Sequence, residues 1–285
     1  MLDINQITTR IKDSGFLVID NFCDVNTLKA LRLEFEALIK ERPSYIKNHE
    51  MTKGGSILLN MVPARVQRSS TGLEDTKQIR SLFEKGDVTK IAQSYHGCGW
   101  GVSNYIYQKA THAEFGEQEL FQLHFDNFMN CQCLKGFIYL EDCLLENGAL
   151  RYIPNTHKLV RKVFRLNPDA SSPTQVNSLD ALVDTIDRIN LKAFTNDEQS
   201  LIAELKAIVA DPKTSLKYTI ERKAGALVLF DTIGVHGGVS VAQKERWIAR
   251  FHLVDRKYRF WNHPEQENFL MGLFSRFCRK IKTLA

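Results

Sequence analysis

The sequence predicts an α+β fold that is mainly β: a two-sheet jelly-roll barrel with flanking N-terminal helices and a helical insertion. Helical patterns come first along the chain, and many short apolar strands separated by turn residues follow. This order is typical of one mixed domain, and a two-sheet barrel is the natural closed form for so many short strands. The predicted strands are Phe16–Ile19, Val102–Gln108, Leu134–Leu140, Ala149–Ile153, Lys217–Glu221, Ala226–Phe230 and Arg246–Val254.

The N-terminal segment predicts two helices that flank the first strand. Ile4, Ile7 and Ile11 recur at helical spacing, and Gly15 ends that helix. Asp24 is placed to cap the second helix, because an aspartate at this position accepts hydrogen bonds from the first free backbone N–H groups. Two shorter helices are predicted around Thr76–Lys85 and Val88–Tyr95.

Residues 43–72 have no clear periodicity, which indicates either a disordered segment or a functional loop. Their apolar content favours a packed and ordered segment. Arg65 in this stretch is a candidate for an anionic substrate, and a solvated arginine is the alternative.

Two amphipathic helices interrupt the strand pattern, and the second opens with a capping box from Thr195 to Glu198. We interpret residues of about 160–213 as a helical insertion over the barrel, within one domain spanning residues 1–285. A further amphipathic helix is predicted at about 266–283, with several basic residues. It could dock on the core or on a second subunit, which leaves a homodimer open, or it could contact a membrane surface peripherally.

The composition is that of an ordinary globular protein. The 285 residues carry a formal net charge of +5, which fits a small anionic substrate and does not argue for nucleic acid. The six cysteines are scattered, as expected for reduced thiols in the cytoplasm. Met1–Arg10 is polar and no run of about 18 apolar residues occurs, so we expect neither a signal peptide nor a membrane span.

The motif His124-Phe125-Asp126 lies in a stretch where polar and apolar residues alternate, which predicts a strand with two different faces. Residues two apart on a strand point to the same side, so the imidazole and the carboxylate lie together. His236 could complete a set of two histidines and one carboxylate, which covers one face of an octahedral Fe(II). The spacing alone also fits a hydrogen-bonded pair without metal.

The segment Gly148–Lys158, which reads Gly-Ala-Leu-Arg-Tyr-Ile-Pro-Asn-Thr-His-Lys, resembles the phytanoyl-CoA dioxygenase family. These proteins are Fe(II)- and 2-oxoglutarate-dependent oxygenases with a double-stranded β-helix (jelly-roll or cupin-like) barrel. Asn155 stands where the family usually has glycine, a mild departure because asparagine also tolerates left-handed backbone. Further landmarks in family order are Gly15–Val18 with the helix after it, His124, Asp126, Ala224–Asp231 and His236–Gly238.

The resemblance implies that His124, Asp126 and His236 hold the iron. It also implies that Arg246, ten positions after His236, binds the far carboxylate of 2-oxoglutarate, and that Lys109 lies near the same cosubstrate. Arg250 shares the Arg246 face of its strand and is the second candidate for the cosubstrate or for substrate. Gln122 is a further cosubstrate candidate. The polar residues predicted to contact substrate are Asn104, Asn130, Gln132, Arg151 and Arg65, and no catalytic residue beyond the metal ligands is assigned.

The implied reaction is hydroxylation of a small polar or anionic metabolite with O2, through an Fe(IV)-oxo intermediate and with release of succinate and CO2. Related halogenases replace the carboxylate ligand with a small residue, so Asp126 favours hydroxylation. Desaturation, epoxidation and ring formation stay open. Two alternatives are a cupin-like metalloenzyme or metal-binding protein that does not use 2-oxoglutarate, and a non-catalytic binding protein with the same fold.

Overall fold

The computed structural model describes residues 3–41, 46–48, 56–61, 77–84, 88–96, 100–110, 123–126, 133–167, 178–238 and 245–255. The helices are α1 (Ile4–Ser14), α2 (Val25–Glu41), α3 (Lys77–Glu84), α4 (Val88–His96), α5 (Thr156–Leu166), α6 (Leu179–Asp187) and α7 (Asn196–Ala210). The strands are β1 (Phe16–Ile19), β2 (Ile46–Asn48), β3 (Ser56–Met61), β4 (Trp100–Ala110), β5 (Cys133–Tyr139), β6 (Leu150–Tyr152), β7 (Thr219–Ile220), β8 (Leu227–Asp231), β9 (His236–Gly238) and β10 (Arg246–Asp255).

The strands form two antiparallel sheets. The larger sheet has the order β1-β8-β5-β10-β4-β3-β2, and the smaller has the order β7-β6-β9. Residues 123–126 lie beside the smaller sheet, where His124 forms a single bridge with His236. Two antiparallel sheets with flanking helices agree with the predicted jelly-roll class.

The first helix contains Ile4, Ile7 and Ile11 and ends at Gly15, as predicted. Asp3 accepts hydrogen bonds from the N–H groups of Asn5 and Gln6, and Gly15 closes the C-terminus in a left-handed conformation with φ 89°. A Cβ atom at Gly15 would lie 2.3 Å from Oη of Tyr152, so the close approach of β6 also requires glycine here. Asp24 caps α2 as predicted, accepting a hydrogen bond from the N–H of Thr27 at 2.7 Å.

The two faces of the larger sheet pack against different parts of the protein, because successive side chains of a strand point to opposite sides. Ala249 and Phe251 of β10 face the N-terminal helices, where Phe35 of α2 also packs. Ile248 faces the other way, toward the smaller sheet. The interior between the sheets is completed by Tyr139, Leu150, Tyr152, Ile220, Val228 and Phe230.

Helices α5–α7 cover the outer side of the smaller sheet, packing on Phe125, Ile153 and Val235. The predicted capping box at Thr195 and Glu198 is present at the start of α7. Helix α5 was not predicted as a separate element. It begins after Asn155, whose φ of 65° agrees with the expectation that this asparagine adopts left-handed backbone.

Three predicted segments need correction. The strand predicted around His124–Asp126 is absent from the described residues 123–126, where His124 forms only isolated bridges with Ser178 and His236. The stretch 43–72 is not wholly irregular, because β2 and β3 lie in it and β3 pairs with β4. Three consecutive apolar residues, Ile57–Leu59, hide the alternation of β3 in the sequence. The strand predicted at Lys217–Glu221 is reduced to β7, because Pro212–Tyr218 forms a 3₁₀ helix.

The C-terminal helix predicted at about 266–283 lies outside the described residues. Among the helices that are described, none has the length and apolar character required to cross a membrane.

Candidate metal centre

Backbone pairing brings the two histidine segments together. The N–H of His124 donates to O of His236 at 2.8 Å, and the N–H of His236 donates to O of His124 at 2.7 Å. Two residues further along the chain, the N–H of Asp126 donates to O of Thr232 at 2.8 Å. These bonds place residues more than 100 positions apart in fixed register, so their side chains converge from two neighbouring segments.

The three side chains offer one metal-binding atom each, and these atoms lie within 4.8 Å of one another. Nε2 of His124 lies 3.8 Å from Oδ1 of Asp126, and Nε2 of His236 lies 3.6 Å from Oδ2 of the same carboxylate. Ligand atoms bound at about 2.1 Å to one ion lie roughly 3–4 Å apart. The donor set therefore fits a single divalent metal ion with two nitrogen ligands and one oxygen ligand.

The imidazole of His236 is held in the tautomer that a metal ligand needs. Its Nδ1 lies 2.8 Å from O of Gly234, and because a carbonyl can only accept, Nδ1 carries the proton. Nε2 is then left with a free lone pair on the side of Asp126. A hydrogen bond of this kind orients ligating histidines and raises their basicity.

A lysine neutralises the carboxylate of this group. Nζ of Lys135 lies 2.5 Å from Oδ2 of Asp126, and both side chains are largely buried. Burial alone would raise the pKa of Asp126, but Lys135, followed by His236 and His124, outweighs burial and holds the pKa well below its usual value. Asp126 is therefore ionised, as a metal ligand must be.

Both histidines open into a cavity of about 140 Å³ between the two sheets. Its polar lining comes from Gln108, Lys135, Arg246 and Arg250, and its apolar lining includes Phe137, Leu150 and Ile248. A small cavity with apolar walls and a few convergent polar groups is typical of a ligand-binding site.

Arg246 lies against the backbone at one side of this cavity. Its Nη1 donates a hydrogen bond to O of Gly148. A Cβ atom at Gly238, two residues after His236, would lie 3.2 Å from Nη1 of Arg246. The glycine therefore leaves the space that the guanidinium group occupies.

A family model described as phytanoyl-CoA dioxygenase (PhyH) matches residues 11–242. The chain belongs to this family. The match confirms the resemblance recognised from Gly148–Lys158, and the predicted enzyme class, an iron- and 2-oxoglutarate-dependent oxygenase, is confirmed at the level of the family. No curated protein sequence matches the chain.

Solved structures similar to this member of the family have the same fold at low sequence identity. The epimerase SnoN, in complex with Fe3+, α-ketoglutarate and nogalamycin RO, has a TM-score of 0.55 and 14% identity over 88% of this chain and 83% of SnoN. EctD from S. alaskensis, with 2-oxoglutarate and 5-hydroxyectoine, has a TM-score of 0.52 and 12% identity over 89% of this chain and 76% of EctD. AviO1 from Streptomyces viridochromogenes Tue57 has a TM-score of 0.51 and 14% identity over 90% and 96% of the two chains. These similarities support the predicted jelly-roll fold.

Some of the other predicted site residues line the cavity, and others do not. Arg246 and Arg250 both line it, together with His124 and His236. Lys109 does not, because it lies opposite Trp247 on the outer face of the sheet. There Nζ of Lys109 pairs with Oε1 of Glu245 at 2.6 Å and lies 4.6 Å from the centre of the Trp247 ring.

Arg151 also faces away from the cavity. It is fully buried under the 3₁₀ helix Pro212–Tyr218, where its Nη1 donates to Oγ of Ser215 at 2.6 Å. Its neighbours on β6, Leu150 and Tyr152, face the interior instead. Asn104 lies in β4 opposite His252. The remaining predicted residues, Gln122, Asn130, Gln132 and Arg65, lie outside the described residues.

Sequence reasoning missed two polar residues of the cavity, Gln108 and Lys135. Gln108 precedes the predicted Lys109 by one position, and counting the alternation of β4 from Asn104 would have placed it on the same face. Lys135 stands between Leu134 and Gly136 in an otherwise apolar strand, and a lone charge in such a strand is a signal for a buried partner.

A second buried ionic group supports the loop that carries His236. Asp231 is fully buried, and its Oδ2 accepts hydrogen bonds from Nη2 of Arg161 at 2.5 Å and from the hydroxyl of Tyr95 at 2.7 Å. Its Oδ1 accepts from the N–H of Ile233 at 3.2 Å. The group connects α4 and α5 to the end of β8, five residues before the metal ligand.

Proposed function

We propose that this chain is an Fe(II)- and 2-oxoglutarate-dependent hydroxylase of a small polar or anionic metabolite. One observation carries the proposal: His124 and His236 open into the same cavity as Arg246. The cosubstrate has an oxo-acid at one end and a second carboxylate at the other. It therefore requires a set of metal ligands and a permanently charged guanidinium group around one cavity.

In this proposal Fe(II) is held by Nε2 of His124, one carboxylate oxygen of Asp126 and Nε2 of His236. Three protein ligands leave the other positions of an octahedral ion for cosubstrate and oxygen. The bound iron would supply the oxidation chemistry, in which O2 and 2-oxoglutarate yield a hydroxylated product, succinate and CO2. Asp126 favours hydroxylation over halogenation because a carboxylate stands where halogenases have a small residue.

Arg246 would bind the far carboxylate of 2-oxoglutarate. One of its terminal nitrogens donates to O of Gly148, which fixes the plane of the guanidinium group. A planar guanidinium group presents five donors, so others are left for a carboxylate. A charge held in place before the ligand arrives lowers the entropic cost of binding.

Part of the cavity wall is apolar, which would help to exclude water once substrate is bound. Phe137, Leu150 and Ile248 form apolar walls of the cavity beside the polar groups. A dry cavity strengthens the interactions of charged ligands and protects reactive species from side reactions. These residues would orient the substrate without taking part in proton transfer.

The test is succinate formation from 2-oxoglutarate by purified protein with Fe(II), ascorbate and air. We expect turnover by the wild type, loss of turnover in His124→Ala, and a requirement for 2-oxoglutarate raised about tenfold or more in Arg246→Ala. Arg188→Ala is the matched control, because Arg188 is exposed at the end of α6.

Binding of 2-oxoglutarate to the Ni(II)-loaded protein provides the second readout. Binding without turnover would indicate an enzyme that consumes 2-oxoglutarate only when its own substrate is bound. Absence of both binding and turnover would contradict the proposal and favour a cupin-like metalloenzyme that does not use 2-oxoglutarate.

A further inference from the structure

The cavity contains a second arginine that the proposed cosubstrate does not require. Arg250 lies four residues after Arg246 on the same face of β10, and both line the cavity. Their Cα atoms are about 13 Å apart if the strand is extended. A single carboxylate held by Arg246 therefore leaves Arg250 available for a different group.

The cations of the cavity differ in what they contact within the described residues. Lys135 pairs with Asp126, and Arg246 donates to O of Gly148. The Nε atoms of Arg250 and Arg246 are both buried without a hydrogen-bond partner among the described residues, but Arg246 also contacts Gly148 through Nη1. A buried guanidinium nitrogen without an acceptor is costly, so the Nε of Arg250 favours an anion in the cavity beside it.

Arg250 remains charged at neutral pH. Burial, followed by the nearby charge of Arg246, lowers the pKa of Arg250 to about 10, and Asp126 opposes this shift. His252, two residues further on the same face, stays neutral because burial, and then Lys135 and Arg250, hold its pKa well below the usual value. The positive charge on this face therefore comes from the two arginines together with Lys135.

Among the described residues, the charges of the loaded site leave a positive surplus. A divalent metal and the two carboxylates of 2-oxoglutarate cancel one another. The described residues of the site then carry positive charges on Lys135, Arg246 and Arg250 and a negative charge on the carboxylate of Asp126. Because buried charges are normally paired, this surplus among the described residues favours a substrate that carries a negative charge.

We propose that Arg250, which lines the same cavity as Lys135, binds an oxyanion of the substrate, so that the substrate carries a carboxylate or phosphate group. This inference rests on the proposed function and narrows its substrate class from polar or anionic to anionic. A guanidinium group pairs with both kinds of oxyanion through two parallel hydrogen bonds. The anion would anchor the substrate beside the metal while Arg246 holds the cosubstrate.

The test uses protein loaded with Ni(II), which does not react, and 2-oxoglutarate. Calorimetry measures binding of three probes of similar size, phenylacetate, phenyl phosphate and the neutral phenylacetamide, to wild type, Arg250→Met, Arg250→Lys and the exposed control Arg188→Met. We expect at least one anion to bind wild type about tenfold or more tightly than the amide, and Arg250→Met to abolish this preference. Arg250→Lys should keep part of it, and Arg188→Met all of it.

The affinity for 2-oxoglutarate, measured first, separates this inference from the proposed function. If wild type does not bind 2-oxoglutarate, the proposed function fails before any probe is added. If Arg250→Met weakens the binding of 2-oxoglutarate as much as Arg246→Met does, Arg250 binds the cosubstrate and the inference is wrong. It is also wrong if the anions and the amide bind wild type equally. A preference between phenylacetate and phenyl phosphate identifies the kind of acid.

Discussion

Nζ of Lys135 lies 2.5 Å from Oδ2 of Asp126, so one oxygen of the metal-binding carboxylate is held by a protein cation. In the absence of metal this ammonium group balances the charge of the carboxylate. If a metal ion were bound, Oδ1 would be the carboxylate oxygen that Lys135 does not hold. Lys135 is therefore a positioning residue that orients Asp126.

Replacing Lys135 with methionine should destabilise the metal-free protein. We expect the free energy of unfolding to fall by about 3 kcal/mol, because a largely buried carboxylate loses its partner. Saturating Ni(II) should restore most of this loss, since the metal then supplies the missing positive charge. Thermal unfolding with and without Ni(II) measures both effects.

The control for that experiment is Lys162→Met. Lys162 pairs with Glu198 at the same distance of 2.5 Å, away from the metal ligands. We expect a smaller loss, about 1 kcal/mol, that Ni(II) does not restore. An equal response to Ni(II) in Lys135→Met and wild type would mean that Lys135 does not act on Asp126.

Gly238→Ala should weaken 2-oxoglutarate binding without affecting the metal. The added Cβ would lie 3.2 Å from Nη1 of Arg246, so the guanidinium group would have to shift by a few tenths of an ångström. We expect the Kd for 2-oxoglutarate to rise about tenfold, which corresponds to about 1.4 kcal/mol. In an Arg246→Ala background the same substitution should raise the Kd for 2-oxoglutarate little further, because the two changes act through one contact. Additive losses would show that Gly238 acts elsewhere.

Asp231→Asn should destabilise the fold and loosen the segment that carries His236. Asp231 is fully buried and neutralises Arg161, and leaving that charge without its partner costs about 3 kcal/mol. Urea denaturation measures this loss, and the exposed Asp184→Asn is the control, with an expected change within about 0.5 kcal/mol. An unchanged midpoint in Asp231→Asn would contradict a stabilising role for this ionic group.

His157 should make stability fall on acidification. Burial lowers the pKa of His157 in the folded protein, although Asp231 and the hydrogen bond to O of Lys12 oppose the shift, and Arg161 and Lys158 add to it. The unfolded chain therefore binds a proton more readily. The contribution is complete above the unfolded pKa of about 6.5 and is lost as the pH falls toward the folded pKa.

The measurement compares metal-free wild type with His157→Gln between about pH 7.5 and pH 5.5. Glutamine can still donate to O of Lys12 but does not titrate in this range. We expect the free energy of unfolding to fall more steeply in wild type than in the variant. Parallel pH profiles would exclude His157 as a source of the acid sensitivity.

Much of the candidate site follows from the sequence because it depends on local spacing. The alternation of β10 predicted that Arg246 and Arg250 share a face and that Trp247 lies on the other, and both arginines line the cavity while Trp247 packs on α2. Lys109 was assigned to the cosubstrate by resemblance, but it is one position away from the residue that faces the cavity, Gln108. A shift of one residue moves a side chain to the opposite face of a sheet.

The sequence by itself determined the types of chemistry available: two histidines and a carboxylate, arginines at fixed spacing after the second histidine, and amphipathic helices with their caps. The tertiary structure decided which groups meet. The pairing of Lys135 with Asp126, the burial of Arg151 under a 3₁₀ helix and the close contact of Gly238 with Arg246 all depend on strand register between distant segments. Register is set by the packing of whole sheet faces, and no local pattern along one strand encodes it.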